Sequence, residues 1–416
     1  MPRTSGTFVP YRLLCTLFRE HVPFVNSAIG RRSIFLPFLA GNNRVRTRLI
    51  GLAYPLLSAS ATFVIPVYSM KAAVLHQYDT KLSTSEYVTL EDVPEPKIQN
   101  PTDVIVRIGG AGVCRTDLHI VEGIWREKVD VKLPYVMGHE NAGWIEEVGK
   151  GVTEYKRGDP VICHPLITNC LALASRRGHD MHVEGSEFPG ISTNGGYAEL
   201  LRTGVGSLIK LPQTLAPKDV APHADAGLTA YHVGKKAARD LSPGERVAII
   251  GVGGLGHIGI QVLAALCSAD IIAVDRSEAA LSLAKECGAR HLVKADEHQV
   301  EAVRELTGGK GAEAVIDFVG EGGSIDNGLA MTRNNGAYYI VGYGGEIRIS
   351  AIDMITTERR IIGNLVGTYS ELVELMELAN RGRVNLATQY YKLSDANTAL
   401  HDLHHGKVRG RAVLMP

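Results

Sequence analysis

The chain has 416 residues, of which 45% are hydrophobic and 21% are charged, which fits a globular protein of two or three domains and excludes a disordered chain. Lysine and arginine together number 44, as do aspartate and glutamate, so the overall charge gives no support for a nucleic-acid partner. Six cysteines at irregular spacing do not form a disulfide framework and indicate a reducing compartment.

Residues 1–69 differ in composition from the rest of the chain. They hold eight arginines, no lysine and one acidic residue, which leaves a net charge of −7 on the remainder. Three interpretations are open. Met70 is the true start of a cytoplasmic protein, or residues 1–69 are a mitochondrial transit peptide, or the uncharged stretch 49–70 is a membrane anchor, although its prolines make it a poor span. In each case residues 1–69 lie outside the catalytic fold.

Three short segments downstream carry residue types that bind metals. They are Gly112-Val113-Cys114-Arg115-Thr116-Asp117-Leu118-His119, Gly138-His139-Glu140 and Asp225-Ala226-Gly227-Leu228-Thr229. Taken singly, they favour a buried cysteine, a core histidine and a helix-capping aspartate. Their meaning therefore depends on the motif that follows them.

A short apolar run over residues 247–250 predicts a parallel strand covered on both faces. It leads into Gly251-Val252-Gly253-Gly254-Leu255-Gly256, which satisfies G-x-G-x-x-G. In this motif Gly251 permits the tight turn, Gly253 lets the backbone approach a pyrophosphate, and Gly256 lets the next helix pack close to the strand. We expect that helix over residues 258–266, with its N-terminal amides toward the phosphates.

A second predicted strand, residues 271–274, ends at Asp275, where a carboxylate can accept hydrogen bonds from the adenine ribose. Asp275 would repel a 2′-phosphate and so favours NAD over NADP, whereas the adjacent Arg276 can accommodate that phosphate. Further strand-like runs extend the alternating pattern, at residues 314–318, 337–341 and 361–365. The sequence therefore predicts an α/β fold with a doubly wound parallel sheet.

These motifs occur together and in the same order in the zinc-dependent medium-chain alcohol dehydrogenases, which this chain resembles from Met70 to Pro416. The resemblance implies a GroES-like, mainly-β catalytic domain that is split in sequence around a Rossmann coenzyme domain. The catalytic domain is expected over residues 70–226 and 362–416, and the NAD-binding domain over residues 227–361. The resemblance also implies a small-molecule alcohol or aldehyde substrate and a homodimer or homotetramer.

By this resemblance Cys114 and His139 are ligands of a catalytic zinc. Relatives usually have a cysteine as the third ligand, where this chain has Asp225. A carboxylate is also a competent zinc ligand, so we expect a Cys-His-Asp site that leaves the fourth position for substrate or water. Asp117 matches the residue that orients the histidine ligand, and Glu140 matches a residue behind the metal.

Relatives often hold a second, structural zinc with four cysteines of a lobe. None of the equivalent positions is a cysteine here: they are Asn169, Ala172, Ser175 and Val183. Cys170 is alone in this lobe and cannot replace four ligands. We therefore predict at most one zinc per chain, and we expect the lobe, residues 167–196, to be held by packing alone and to be the least stable part of the fold.

The resemblance also implies catalytic and coenzyme contacts. Thr116 matches a hydroxyl that contacts the substrate oxygen, and His119 matches a solvent-facing base at the end of a proton relay through the nicotinamide ribose. Arg115 and Arg411 match residues that contact the pyrophosphate, and Thr229 matches one that touches the nicotinamide. For His119 the alternative is a surface histidine without a role, and for Arg411 it is a solvated charge near the C-terminus.

Trp125 matches a pocket-wall position that is bulky in relatives acting on short alcohols, because a large ring narrows the channel. A core tryptophan is the alternative. We expect a small or medium primary or secondary alcohol, with its aldehyde or ketone, and NAD-linked oxidation. A polyol or sugar dehydrogenase is the nearest other enzyme. The three ligands argue against a zinc-free quinone or enoyl reductase, and Thr116 and His119 argue against a non-catalytic protein.

Overall fold

The computed structural model describes residues 68–129 and 131–416. The interpretations of the N-terminal segment as leader, transit peptide or membrane anchor fall outside the described residues. Among the helices of the described part, none is both long and apolar enough to cross a membrane. The described chain forms two domains, called here the β-rich domain and the parallel-sheet domain.

The strands, in chain order, are β1 (Ser69–Leu75), β2 (Thr89–Pro94), β3 (Asp103–Val113), β4 (Tyr135–Val136), β5 (Glu140–Val148), β6 (Pro160–Cys163), β7 (Leu200–Gly204), β8 (Leu208–Lys210), β9 (Arg246–Ile250), β10 (Asp270–Asp275), β11 (His291–Lys294), β12 (Ala312–Asp317), β13 (Thr332–Ile340), β14 (Arg360–Gly363), β15 (Thr388–Lys392) and β16 (Arg411–Met415). The helices are α1 (Arg115–Val121), α2 (Leu173–Arg176), α3 (Pro217–Val220), α4 (Ala226–Asp240), α5 (Gly256–Leu266), α6 (Glu278–Glu286), α7 (Gln299–Leu306), α8 (Ser324–Met331), α9 (Ala351–Thr357), α10 (Tyr369–Asn380) and α11 (Ala396–His404).

The β-rich domain combines the first eight strands with the last two. Its larger sheet runs in the order β15-β16-β3-β5-β6-β8, with β7 also paired to β3, and a smaller sheet runs β2-β1-β4. β3 is the centre, because it pairs antiparallel with β5, β7 and β16. Its end at Val113 places Cys114 at the N-cap of α1, and β16 brings Arg411 from the end of the chain to the same region.

The parallel-sheet domain has six strands in the order β11-β10-β9-β12-β13-β14. Every neighbouring pair is parallel, which confirms the predicted doubly wound sheet. Val247, Ala248 and Ile249 of β9 are fully buried, because helices cover both faces of such a sheet. The carboxyl ends of β9, β10, β12 and β13 share one edge, which is the edge where ligands bind in folds of this kind.

Three boundaries differ from the sequence-based expectation. β13 begins at Thr332 rather than at 337, because its first residues include Arg333, Asn334 and Asn335, which are not buried and give no apolar signal. β14 runs to Gly363, so the parallel sheet extends past the expected domain boundary at 361. Helix α5 begins at Gly256 rather than at 258.

A shared hydrophobic core joins the two domains below the ligand-binding edge. It includes Ile162 of β6, Leu228 of α4, Ile258 of α5 and Leu372 of α10. α4 begins directly after Asp225 and packs against α5. The segment that carries Asp225 is therefore fixed by helices of both domains.

Candidate metal centre and active site

Four side chains that can bind a metal converge on one point of the β-rich domain. Their ligand atoms all lie within 4.8 Å of one another, and they belong to Cys114, His139, Glu140 and Asp225. Each lies at the boundary of a regular element: Cys114 precedes α1, His139 precedes β5, and Asp225 precedes α4. The three candidate metal-binding segments of the sequence are thus neighbours in space.

The environment of His139 fits a metal ligand. Its ring is 1% exposed, and Nε2 lies 3.4 Å from Oδ2 of Asp225. Within the described part of the chain, Nε2 has no hydrogen-bond partner, which is costly for a buried polar atom. A thiol, an imidazole and a carboxylate around this nitrogen form a donor set that suits zinc.

Asp117 holds the donors in place. One carboxylate oxygen, Oδ1, lies 3.3 Å from Nδ1 of His139. The other, Oδ2, accepts hydrogen bonds from the backbone N–H of Cys114 and from the hydroxyl of Tyr197, both at 2.8 Å. A carboxylate in this position fixes the orientation of a histidine ligand and keeps its other nitrogen available for metal.

Glu140 and Arg411 form a buried ion pair behind the donors. Arg411 donates from Nη2 to Oε1 of Glu140, and the side chains are 3% and 0% exposed. The alternative of a solvated charge for Arg411 is therefore wrong. Arg411 also lies beside the glycine-rich loop, because a Cβ added to Gly254 would lie 2.8 Å from its Nη1.

A cavity of about 590 Å³ opens from the metal donors toward the parallel-sheet domain. Cys114, His139 and Asp225 line one end, and residues from β13 and from the segments after β12 and β14 form part of the wall. Trp125 also lines this cavity, where it is half-buried, so it occupies the pocket-wall position. The lining is largely apolar, as in most small-molecule sites.

Thr116 and His119 both line the cavity from α1. His119 is 6% exposed, so the expectation of a solvent-facing base is wrong. The ring of Tyr343 covers it, with the two ring centroids 4.8 Å apart. Burial, with the nearby charge of Arg115, lowers the pKa of His119 to about 4.

Known proteins match almost the whole described chain. The profile of the zinc-binding dehydrogenase family matches residues 254–381, and that of the alcohol dehydrogenase GroES-like domain matches residues 100–213. An NAD-dependent alcohol dehydrogenase of Sulfolobus acidocaldarius is 36% identical over 354 residues, which cover 83% of this chain and 99% of the relative. The chain belongs to the zinc-binding medium-chain alcohol dehydrogenase family.

Two further relatives bear on the site. The crystal structure of the alcohol dehydrogenase from the archaeon Aeropyrum pernix has a TM-score of 0.80 and 48% sequence identity, over 83% of this chain and 100% of that chain. A D-arabinose 1-dehydrogenase (NADP(+)) of Saccharolobus solfataricus is 34% identical over 351 residues, which cover 83% of this chain and 97% of the relative. The β-rich domain is therefore the GroES-like domain of the family, and the parallel-sheet domain is its Rossmann domain.

The glycine-rich loop has the shape that an alcohol dehydrogenase needs to bind a dinucleotide. Gly251 has a φ of 83°, which favours glycine. A Cβ added to Gly256 would lie 2.1 Å from the carbonyl oxygen of Gly251, so α5 packs directly on the loop. A Cβ added to Gly253 would meet no described atom within 4 Å, so the backbone there is open to a pyrophosphate.

Asp275 closes this loop at the end of β10. Its Oδ2 accepts a hydrogen bond from the backbone N–H of Val252 at 2.8 Å, and Oδ1 accepts one from Ser277 at the same distance. Each oxygen keeps a lone pair for a ribose hydroxyl. Arg276 beside it is exposed to solvent.

The other expected coenzyme contacts lie around the mouth of the cavity. Arg115 is half-exposed, with Nη2 4.0 Å from Oε1 of Glu321 in the Rossmann domain. Thr229 is 8% exposed in the first turn of α4 and lines the cavity beside Asp225. Both side chains thus line the cavity that opens toward the glycine-rich loop.

The lobe of residues 167–196 differs from the expectation that packing alone holds it. Ser175, at one of the family's cysteine positions, donates from its hydroxyl to Oδ1 of Asp180 at 2.8 Å. Ile167 and Glu187 exchange backbone hydrogen bonds at 2.9 and 3.1 Å, and Val183 is buried. A carboxylate and a short backbone ladder therefore contribute to the lobe.

Sequence reasoning missed several residues that line the cavity. They are Phe188, Ile191, Glu321, Tyr343, Leu365 and Val366. Four of them carry a usable signal, because Glu321 follows the carboxyl end of β12, Tyr343 that of β13, and Leu365 and Val366 that of β14, where ligand-binding residues of a parallel sheet are found. The others lie in loops whose sequence has no periodic pattern, and only the packing of the two domains brings them together.

Proposed function

We propose that this protein is an NAD-dependent alcohol dehydrogenase that interconverts a small or medium primary or secondary alcohol and its aldehyde or ketone. The observation that carries the proposal is the cluster of Cys114, His139 and Asp225 at one end of a largely apolar cavity. The opposite side of that cavity belongs to the Rossmann domain. A metal donor set and a dinucleotide loop therefore face the same substrate space.

The proposed metal is one zinc ion per chain, held by Cys114, His139 and Asp225. A zinc ion on these donors supplies the Lewis acidity that lowers the pKa of an alcohol hydroxyl, and NAD supplies the hydride acceptor. The choice of NAD over NADP rests on Asp275, whose carboxylate would repel a 2′-phosphate. Relatives of this chain include proteins named for NAD and one named for NADP(+).

Two side chains are placed to receive the proton that leaves the alcohol. Thr116 and His119 are three residues apart on α1 and so share one face of the helix. In the described part of the chain, Nδ1 of His119 is buried without a hydrogen-bond partner. Burial lowers the pKa of this ring to about 4, so it is neutral near pH 7 and can relay the proton to solvent without retaining it.

The remaining polar groups position the donors. Asp117 fixes the ring of His139 and the backbone of Cys114. The buried pair of Glu140 and Arg411 connects this centre to the glycine-rich loop at Gly254. These contacts support a single rigid site that spans both domains.

We also propose a homo-oligomer of two or four chains. The parallel-sheet domain exposes large apolar side chains near its β14 edge: Ile347, Ile352 and Ile355 are 40%, 63% and 71% exposed. Ile352 and Ile355 are three residues apart on α9 and so share one face of that helix, and an exposed apolar face is typical of a surface that a partner covers. Light scattering of the full chain at micromolar concentration checks this, and a monomer would contradict it.

A panel assay tests the proposed activity. The full chain, purified without chelator, is incubated with primary and secondary alcohols of two to eight carbons and either NAD⁺ or NADP⁺, and the reduced coenzyme is followed by absorbance. We expect faster oxidation with NAD⁺, and loss of the activity in Asp225→Ala. Reduction of quinones or enones with no alcohol oxidation would instead identify the zinc-free reductase alternative.

A further inference from the structure

The hydroxyl of Tyr343 lies in the wall of the substrate cavity and joins the two domains. It is 3.1 Å from Oγ1 of Thr116, and it accepts a hydrogen bond from Nε1 of Trp125, also at 3.1 Å. Thr116 and Trp125 belong to the β-rich domain, whereas Tyr343 follows β13 of the parallel-sheet domain. The three polar atoms form a compact group at one side of the cavity.

Two aromatic contacts fix the position of this hydroxyl. The ring of Tyr343 meets the ring of Trp125 at 90° with the centroids 5.8 Å apart, and it meets the ring of His119 edge-on at 4.8 Å. Edge-to-face contacts of this kind are favourable. The hydroxyl is therefore held near Thr116, the residue proposed to contact the reacting oxygen.

One hydrogen-bonding position of the Tyr343 hydroxyl remains open. A phenol has one O–H donor and two acceptor lone pairs. The N–H of Trp125 takes one lone pair, and Thr116 takes either the donor or the second lone pair, since either oxygen can be the donor. The remaining position can therefore donate to or accept from a ligand.

Four other side chains of the cavity wall carry no polar group. Phe188, Ile191, Leu365 and Val366 present hydrocarbon to the cavity. A second oxygen of a substrate that lay against these side chains would lose its hydrogen bonds to water without replacement. Beside the hydroxyl of Tyr343 that oxygen would have a hydrogen-bond partner.

We propose that Tyr343 is a specificity-determining residue whose hydroxyl binds a second oxygen on the carbon next to the reacting one. The preferred substrates are then vicinal diols and, in the reverse direction, α-hydroxy aldehydes or ketones. Two oxygens on neighbouring carbons are separated by about one hydrogen-bond length. An oxygen that contacts Thr116 therefore brings its neighbour within reach of Tyr343. This inference rests on the proposed alcohol dehydrogenase function.

The reaction itself leaves the second oxygen unchanged. A bound NAD⁺ would accept the hydride from the reacting carbon, and the hydroxyl proton would pass through Thr116 and His119 to solvent. Burial raises the pKa of Tyr343 to about 12, so the phenol stays protonated near pH 7 and does not act as a base. Its role is to bind and orient the diol.

The test compares alcohols that differ by one oxygen. kcat and KM are measured for 1,2-propanediol, 1-propanol and 2-propanol with NAD⁺, for the full wild-type chain and for Tyr343→Phe. The substitution keeps the ring and its contacts but removes the hydroxyl. The matched control is Tyr390→Phe, since Tyr390 is an exposed tyrosine whose hydroxyl contacts Asp219 outside the cavity.

We expect kcat/KM for the diol to fall about tenfold in Tyr343→Phe, mainly through KM, while the values for the two simple alcohols change less than about twofold. The control should leave all three values unchanged. An equal change for all three alcohols, or none, would overturn the role of Tyr343 and leave the alcohol dehydrogenase function intact. No oxidation of any of the three by wild-type protein would overturn the proposed function itself, and this inference with it.

Discussion

Asp180 of the lobe accepts a hydrogen bond from the backbone N–H of Tyr369 at 2.9 Å. Tyr369 is the first residue of α10, so a carboxylate lies at the positive end of that helix, a favourable arrangement. The other oxygen of Asp180 binds the hydroxyl of Ser175. The side chain is 6% exposed and links the lobe to the rest of the chain.

Asp180→Ala should destabilise the lobe. It removes two hydrogen bonds to a buried carboxylate, and we expect a loss of about 2 kcal/mol in the free energy of opening the lobe. Hydrogen exchange of the backbone amides of residues 169–183 measures this. Asp180→Asn, which keeps one acceptor oxygen, should lower the free energy of opening the lobe by a smaller amount.

The same hydrogen-exchange measurement distinguishes a lobe held by Asp180 from a lobe held by a metal ion. Protection of residues 169–183 should not change when a chelator is added to the wild-type protein. Loss of that protection on chelation, together with unchanged hydrogen exchange in Asp180→Ala, would show that a metal rather than Asp180 holds the lobe.

Asp117→Ala should weaken zinc binding. Asp117 contacts the ring of His139 and the backbone of Cys114, and removal of such a partner typically lowers metal affinity 10- to 100-fold. Competition with a chromophoric chelator gives the affinity directly. The control is Tyr197→Phe, which removes a hydrogen bond to Asp117 but leaves its carboxylate. Equal affinities of wild type and Asp117→Ala would contradict this role.

His119→Ala should slow alcohol oxidation most at low pH. The pKa of about 4 keeps the wild-type imidazole neutral and able to accept a proton down to about pH 5, where hydroxide in the solvent is too scarce to replace it. The measurement is kcat against pH from 5.5 to 10, with zinc content unchanged. His298→Ala, at an exposed histidine, is the control. A pH profile identical to that of wild type would remove His119 from the proton path.

Glu371 should make stability depend on acid pH. It is buried at the N-terminus of α10; burial raises its pKa, but hydrogen bonds from His232 and from the backbone of Thr368 lower it more, to about 2. A carboxyl with a lowered folded-state pKa stabilises the fold above its unfolded pKa, near 4.5, and this contribution is lost as the pH falls toward 2.

Glu371→Gln should therefore be less stable than wild type at pH 7 by up to about 2 kcal/mol, with a difference that shrinks below pH 4.5. Thermal unfolding midpoints at pH 7, 5 and 4 measure it. Glu374→Gln, in the same helix but at a half-exposed position, should show no such trend. A difference that stays constant across these pH values would contradict the assignment.

The sequence predicted the parts of the site that lie on local patterns. Cys114, His139 and Asp225 each lie within two residues of a glycine and at the start of an element. The glycine-rich loop follows a continuous apolar strand, so a short stretch of sequence is sufficient to find each of these features. The parallel sheet was predicted for the same reason. The edge strand β11 and the polar start of β13 were missed, because neither has a continuous apolar run.

The parts that were missed depend on packing between distant segments. Tyr343 reaches Thr116 across 227 positions of sequence, and nothing in the local sequence of either residue indicates the other. Tyr343 also buries His119, because its ring packs against the imidazole. Asp180 was missed because a single aspartate in a polar loop gives no sign that it will meet the first turn of α10.

The count of zinc per chain tests the central claim most directly. Elemental analysis of the full chain, purified without chelator, should give about one zinc per chain. Asp225→Ala should lose it while NAD binding, followed by fluorescence, is retained, and Asp225→Cys should keep it. Two zinc ions per chain, or none in a folded protein that binds NAD, would contradict a single Cys-His-Asp centre.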